Sequence, residues 1–183
     1  MNWFAVSLVL GLVALFGSAT ADQRDARLVK LFEQLHRSED SREIVHLQSG
    51  IWSIWTESAD EESNALMYDG LLAMHGKRYE VALEFFDALV KHDPDFAEGW
   101  NKRATLYYLV GNTDASIEDI KRALELEPRH FGALSGLGLV YLQQGKLALA
   151  EEAFLQLITV HPNSPSAQDN LRLVRKQRAV NVI

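Results

Sequence analysis

Pro94, Pro128 and Pro162 recur at an interval of 34 residues, and the interval is shared by other positions. Gly70, Ala104 and Gly138 keep it, as do Phe86, Ile120 and Phe154, and also Leu66, Trp100 and Leu134. A fixed period that holds small, large and helix-stopping residues in register means one supersecondary unit copied three times. Such a unit buries its apolar face only by stacking on its neighbours, so the chain must build a solenoid. Each copy has room for two helices of about a dozen residues. Small residues on the first helix (Gly70, Ala104, Gly138) are expected to face small residues on the second (Ala82, Ser116, Ala150), letting the backbones approach closely. Gly76, Gly111 and Gly145 fit the left-handed position that ends each first helix, and the prolines stop each second helix. Asp95, Phe96, Ala97 and Glu98 read as a capping box opening the middle unit. Ser164 followed by Pro165 reads as the cap and first residue of a further helix.

The residues within the period resemble the tetratricopeptide repeat (TPR). In the unit 97–130, Trp100, Ala104, Tyr107, Ser116, Ile120 and Pro128 occupy the family's characteristic positions. The unit 131–164 supplies Leu134, Leu137, Gly138, Tyr141, Ala150, Phe154 and Pro162, and the unit 63–96 supplies Leu66, Gly70, Ala82, Phe86 and Pro94, with Ala73 in place of the Tyr. The resemblance implies an all-α fold, a right-handed superhelical solenoid of antiparallel helix pairs with helical caps. Residues 22–62 carry Leu28, Leu31, Phe32 and Leu35, then Ile44, Val45, Leu47, Ile51, Trp52 and Trp55, at helical spacing. They are expected to form a degenerate helical pair capping the solenoid. Trp52 and Trp55, three apart, belong in the core, with an exposed partner patch as the alternative. Residues 165–183 read as a capping helix and tail, with Ala167, Leu171 and Val174 on one face and Arg172, Arg175, Lys176 and Arg178 around it.

Residues 1–21 differ in kind. They contain no Asp, Glu, Lys or Arg, the run from Trp3 to Gly17 is almost wholly apolar, and Ala19, Thr20 and Ala21 follow. An apolar stretch ahead of an A-x-A site reads as a signal peptide cleaved between Ala21 and Asp22, which places the mature chain in the periplasm or outside the cell. An uncleaved anchor or a buried helix are the alternatives. Once the leader is removed, no second apolar run remains to hold the chain in a membrane. The absence of cysteine removes disulfides, thiol nucleophiles and thiolate metal sites.

Nothing in the sequence points to catalysis, a metal or a cofactor. It has no G-x-S-x-G, no phosphate-binding loop, no H-E-x-x-H and no EF-hand loop. His92, His130 and His161 fall in turns between units, where solvated side chains are expected. A net charge of −7 opposes nucleic-acid backbones. The family resemblance puts the binding surface on the concave side, lined by the first helix of each unit. The corresponding residues are Asn64, Met67, Leu71 and Met74, then Glu98, Asn101, Thr105 and Tyr108, then Ser135, Leu139 and Leu142. A Met- and Leu-rich groove suits an apolar peptide or an amphipathic helix. One TPR subclass grips acidic chaperone peptides through cationic and amide side chains. Met67, Leu71, Ser135 and Leu139 depart from that clamp, so that activity is not expected. The terminal helices could cover part of the groove. Asp69 and Arg103, one period apart, are expected to form an ion pair between neighbouring first helices, with two solvated charges as the alternative. The expected function is therefore a non-catalytic interaction module, an adaptor or assembly factor of the cell envelope. The alternative is a structural subunit that self-associates as a homo-oligomer or sits in a larger complex.

Overall fold

The computed structural model describes residues 22–180, which form helices and no strand. A first pair is α1 (Arg27–Arg37) and α2 (Ser41–Trp55). Three repeat pairs follow: α3 (Glu61–His75) with α4 (Tyr79–His92), α5 (Ala97–Leu109) with α6 (Thr113–Leu126), and α7 (Phe131–Gln143) with α8 (Leu147–Val160). The last helix is α9 (Pro165–Val180). Packing is densest within each repeat pair, and α4 lies on α5, α6 on α7 and α8 on α9. This is the stacked arrangement that the 34-residue period requires.

In the first and third repeats a glycine of the first helix lies against a ring of the second, and in the middle repeat the small residues Ala104 and Ser116 meet as expected. A Cβ on Gly70 would stand 2.5 Å from the Phe86 ring, and one on Gly138 would fall inside the van der Waals envelope of Phe154. In the middle repeat the same positions are Ala104 and the smaller Ile120, both buried. The volume lost on one helix is thus supplied by the other, as close packing demands. Ser116 adds a polar tie, its hydroxyl donating to the Ala104 carbonyl at 2.8 Å.

The turns hold two further corrections. Gly111 (φ 82°) and Gly145 (φ 70°) are left-handed as expected, but in the first repeat that conformation falls on Lys77 (φ 56°), with Gly76 in an ordinary region. Lys77 is the residue in register with Gly111, so Gly76 stands one place too early. The capping box at Asp95–Glu98 does not form: the helix is capped at Phe96, whose side chain makes no cap bond. Instead Gln23 reaches across, accepting from the Ala97 N–H at 3.3 Å and donating to the Asp95 carbonyl at 2.6 Å. Ser164 does cap α9, its hydroxyl accepting from the Ala167 N–H at 3.3 Å.

Arg103 does not pair with Asp69. Its guanidinium donates twice to Asp119 on α6 (2.7 and 2.8 Å) and once to Asp87 on α4 (2.8 Å), and it lies 4.9 Å from the Trp100 ring centroid. The face of α5 that carries Arg103 is turned toward these second helices and away from α3. The inter-repeat ion pair therefore exists, but with Asp87 as its acid. The enclosing carboxylates raise the Arg103 pKa despite the desolvation that opposes them, and burial pushes the Asp119 carboxyl up against the pull of Arg103.

The pair α1–α2 forms, but it does not stack on the end of the first repeat. Its apolar side chains Leu28, Phe32, Leu35, Ile51 and Trp55 share one buried cluster with Phe131, Leu134 and Phe154 of the third repeat and Leu171 of α9. A separate cluster around Met67, Phe86 and Leu106 joins the first repeat to α5. The pair thus runs along the turns between repeats: Gln23 holds the turn before α5, Trp52 and Trp55 cover the start of α7, and the Ser38 carbonyl accepts from Asn163 Nδ2 at 2.8 Å before α9.

Candidate functional site

The position of α1–α2 decides which part of the concave face is open. Trp55 stacks on His130 with ring centroids 4.1 Å apart, and Trp52 sits so close to Gly132 that a Cβ there would lie 2.6 Å from its ring. Both indoles therefore face the repeats: Trp55 is buried and Trp52 half-buried. Beneath them lies a closed polar cluster. Glu98 is fully buried, its Oε2 accepting from Asn101 Nδ2 at 2.9 Å and lying 2.8 Å from His130 Nε2, while Lys102 Nζ stands 2.8 Å from Oε1. His130 Nδ1 accepts from the Ala133 N–H at 3.1 Å, capping α7. That bond leaves Nε2 as the protonated nitrogen, which donates to Glu98. Burial alone would raise the Glu98 pKa, but Lys102 and His130 outweigh it and hold the carboxyl below its ordinary range.

Two of the turn histidines are accordingly not solvated. His130 is 0% and His161 1% exposed, because α1–α2 covers these turns. His161 has no hydrogen-bond partner on either nitrogen, and burial lowers its pKa. His92 is exposed beside Asp60, 2.9 Å away, which raises its pKa.

Of the eleven groove residues, three are withdrawn from the surface: Glu98 and Asn101 into the polar cluster, and Met67 into the core of the first repeat. Asn64 is half-buried and spent on the chain itself, exchanging two 2.8 Å hydrogen bonds with the Ser58 backbone. Leu71, Met74, Ser135 and Leu142 remain half-buried on their helices. Thr105, Tyr108 and Leu139 come together, with the edge of Asn101, around a cavity of about 260 Å³. Its walls also include Ala104, Leu109, Ser116, Ile120, Gly136 and Val140, so α5, α6 and α7 all contribute. The lining is predominantly apolar; the Thr105 and Ser116 hydroxyls donate to the Asn101 and Ala104 carbonyls of α5, and Tyr108 brings a further hydroxyl. Gly136 makes the notch: a Cβ there would only just reach Ile120, at 3.4 Å. Register separates Gly136 from Gly138, since Gly138 lies against the Phe154 ring and Gly136 meets only the tip of Ile120. The arrangement holds an apolar side chain well and presents no nucleophile with an adjacent base. Among the described residues no group of three or more His, Asp or Glu side chains is disposed to hold a metal ion.

A family model described as the tetratricopeptide repeat matches residues 101–167. A TPR repeat-containing protein of Rhizobium etli is 36% identical over 155 residues, covering 85% of this chain and 76% of the relative. Of two further relatives the chain spans 33% and 55% of the length. Among solved structures, the Sgt2 TPR domain from Aspergillus fumigatus superposes with a TM-score of 0.63 at 26% identity, covering 68% of this chain and 84% of that one. The first TPR of Spaghetti (RPAP3), solved with an HSP90 peptide, superposes with a TM-score of 0.63 at 20% identity, covering 65% and 94%. The last of these speaks to the fold alone. With the 34-residue period, the stacked helix pairs and the match to the Rhizobium etli protein all agreeing, the chain belongs to the tetratricopeptide-repeat family.

Proposed function

We propose that this protein is a non-catalytic interaction module that holds a partner polypeptide by an apolar anchor side chain seated in the notch between α5, α6 and α7. The observation that carries this reading is the 260 Å³ cavity bounded by Thr105, Tyr108, Leu139 and Gly136, left open where α1–α2 closes the adjoining stretch of groove. A cavity of this size accepts a Leu, Met or Phe side chain, and the Tyr108 hydroxyl can orient the peptide backbone. The TPR domain of RPAP3, which shares the fold, is bound to an HSP90 peptide, in keeping with a protein ligand. The ligand here differs in chemistry from an acidic peptide tail. Lys102 is already engaged by Glu98, and Met67, Leu71, Ser135 and Leu139 offer no cation to a carboxylate.

The partner belongs to the cell envelope in this reading, and the protein acts there as an adaptor or assembly factor. The apolar run Trp3–Gly17 and the A-x-A at Ala19–Ala21 support export with cleavage before Asp22. The mass of the protein recovered from a periplasmic fraction tests this, since a mature chain beginning at Asp22 is required. Binding is tested by affinity capture from the same extract with the unmodified chain and with Gly136→Leu, which fills the notch from inside a helix. A partner retained by the first and lost by the second supports the anchor pocket. Equal capture by both moves the site elsewhere.

A further inference from the structure

The solenoid is unfinished at the start of the first repeat. On α5, Leu106 is 1% exposed and packs against Phe86 and Leu89 of the preceding α4; on α7, Val140 is 0% exposed, in one cluster with Ile117 and Ile120 of the preceding α6. Leu72 occupies the same register on α3 and is 51% exposed. The whole stripe through it (Glu61, Ala65, Tyr68, Asp69 and Leu72) is exposed, because α1–α2 has turned away along the inter-repeat turns. The inter-repeat interface that occurs twice in the molecule is therefore presented a third time without its partner helix.

The charges on this face specify that helix. Arg103, in register with Asp69, takes an acid (Asp87) from the helix of the preceding repeat. With an acid at the same register, α3 calls for a cation, and α3 carries three acids with no Lys or Arg. The opposite end of the molecule supplies the complement. On α9, Arg172, Leu173, Lys176, Gln177 and Val180 form one exposed stripe at helical spacing, two apolar residues and a Gln beside two cations, of which Arg172 is paired with Asp169. Arg175 and Arg178 are tied to Glu151 on α8, while Lys176 has no ion partner among the described residues.

We propose that copies of this chain associate head to tail, α9 of one copy packing on the open α3 face of the next. The contact joins two different surfaces, so it propagates into a chain of copies unless the rotation closes a ring. Its charge complementarity makes it weaken with salt.

Sedimentation velocity over protein concentrations up to about 1 mM tests this. The unmodified chain should associate as concentration rises. Leu72→Glu blocks only the head and Leu173→Glu only the tail; both positions are exposed, and matching circular dichroism spectra confirm that the fold is kept. Each variant alone should stay monomeric, while an equimolar mixture should give a dimer that grows no further, since one intact head meets one intact tail. Should either variant lose helix, Asp69→Lys and Lys176→Glu take their places. The chain carrying both of these exchanges the charge on the two surfaces and should associate again. A monomeric unmodified chain, association that survives the single variants, or a mixture that stays monomeric would each overturn the proposal.

Discussion

Trp55 is the residue through which the N-terminal pair holds the repeats, and its removal should loosen that pair selectively. The indole is buried, stacked on His130 at 4.1 Å and packed against Phe131 at 4.9 Å, Trp52 at 5.5 Å and Phe32 at 5.7 Å. Truncating such a core ring to alanine costs about 3–5 kcal/mol, the lost transfer energy plus the cavity left behind. In a chain of this size 1 kcal/mol moves Tm by about 2–4 °C, so Trp55→Ala should melt roughly 6–20 °C lower if unfolding stays two-state. The loss has a ceiling, however. Once it exceeds the free energy that docks α1–α2, the pair releases locally and the repeats remain folded. Hydrogen exchange followed by mass spectrometry separates the two regimes. Because α1–α2 shares its core with the third repeat and α9, protection should fall over residues 27–55 and at the start of α7, where His130 caps the Ala133 amide. Protection in α3 and α4 should be unchanged. Loss of protection centred on α3 and α4, with residues 27–55 unchanged, would refute the placement of the pair.

Arg103→Leu leaves Asp119 buried without its partner and should cost about 2–4 kcal/mol in urea unfolding, whereas Arg103→Leu with Asp119→Leu should recover most of that loss, since apolar replacement of a buried pair is often neutral. Lys77→Gly relieves a left-handed backbone and should stabilise by about 1 kcal/mol, whereas Lys77→Ala should not. Burial depresses the pKa of His161, so the unfolded chain takes up its proton more readily. Stability should be full above the ordinary histidine value of about 6.5 and fall as pH drops below it. His161→Phe should flatten that slope in a pH series of Tm measurements, over and above the opposing contribution of His92, whose raised pKa stabilises at low pH and is lost as pH rises.

Most of the architecture was legible because it rests on period and register, which one sequence displays in full. The stacked helix pairs, the prolines that follow the second helices and the left-handed Gly111 and Gly145 are local consequences of a 34-residue unit. The path of α1–α2 was not legible. Its helices show in their apolar spacing, but the surface they choose depends on Trp52 and Trp55 meeting Phe131 and His130, some 75 to 80 residues away. No periodicity encodes such a contact. The same contact explains why Glu98 and Asn101 left the groove and why His130 and His161 are buried. Asp69 and Arg103 failed as a pair for a related reason. Sequence spacing places two residues on neighbouring helices, but it does not say that their face is turned toward the second helices. The open notch was half legible: Thr105, Tyr108 and Leu139 follow from the repeat pattern, while its depth depends on Gly136 lying opposite Ile120 with nothing larger in between.

The most direct test of a groove-held partner is site-specific photo-crosslinking in living cells. A photoreactive phenylalanine analogue replaces Leu109, an exposed residue on the cavity wall, or Leu155, an exposed residue on α8 away from it. A polypeptide held by the notch should crosslink at 109 and not at 155, and Gly136→Leu should abolish the adduct while leaving the helix content intact. A crosslink at 109 that persists with the notch filled, or a partner found only at 155, would contradict the anchor-pocket function.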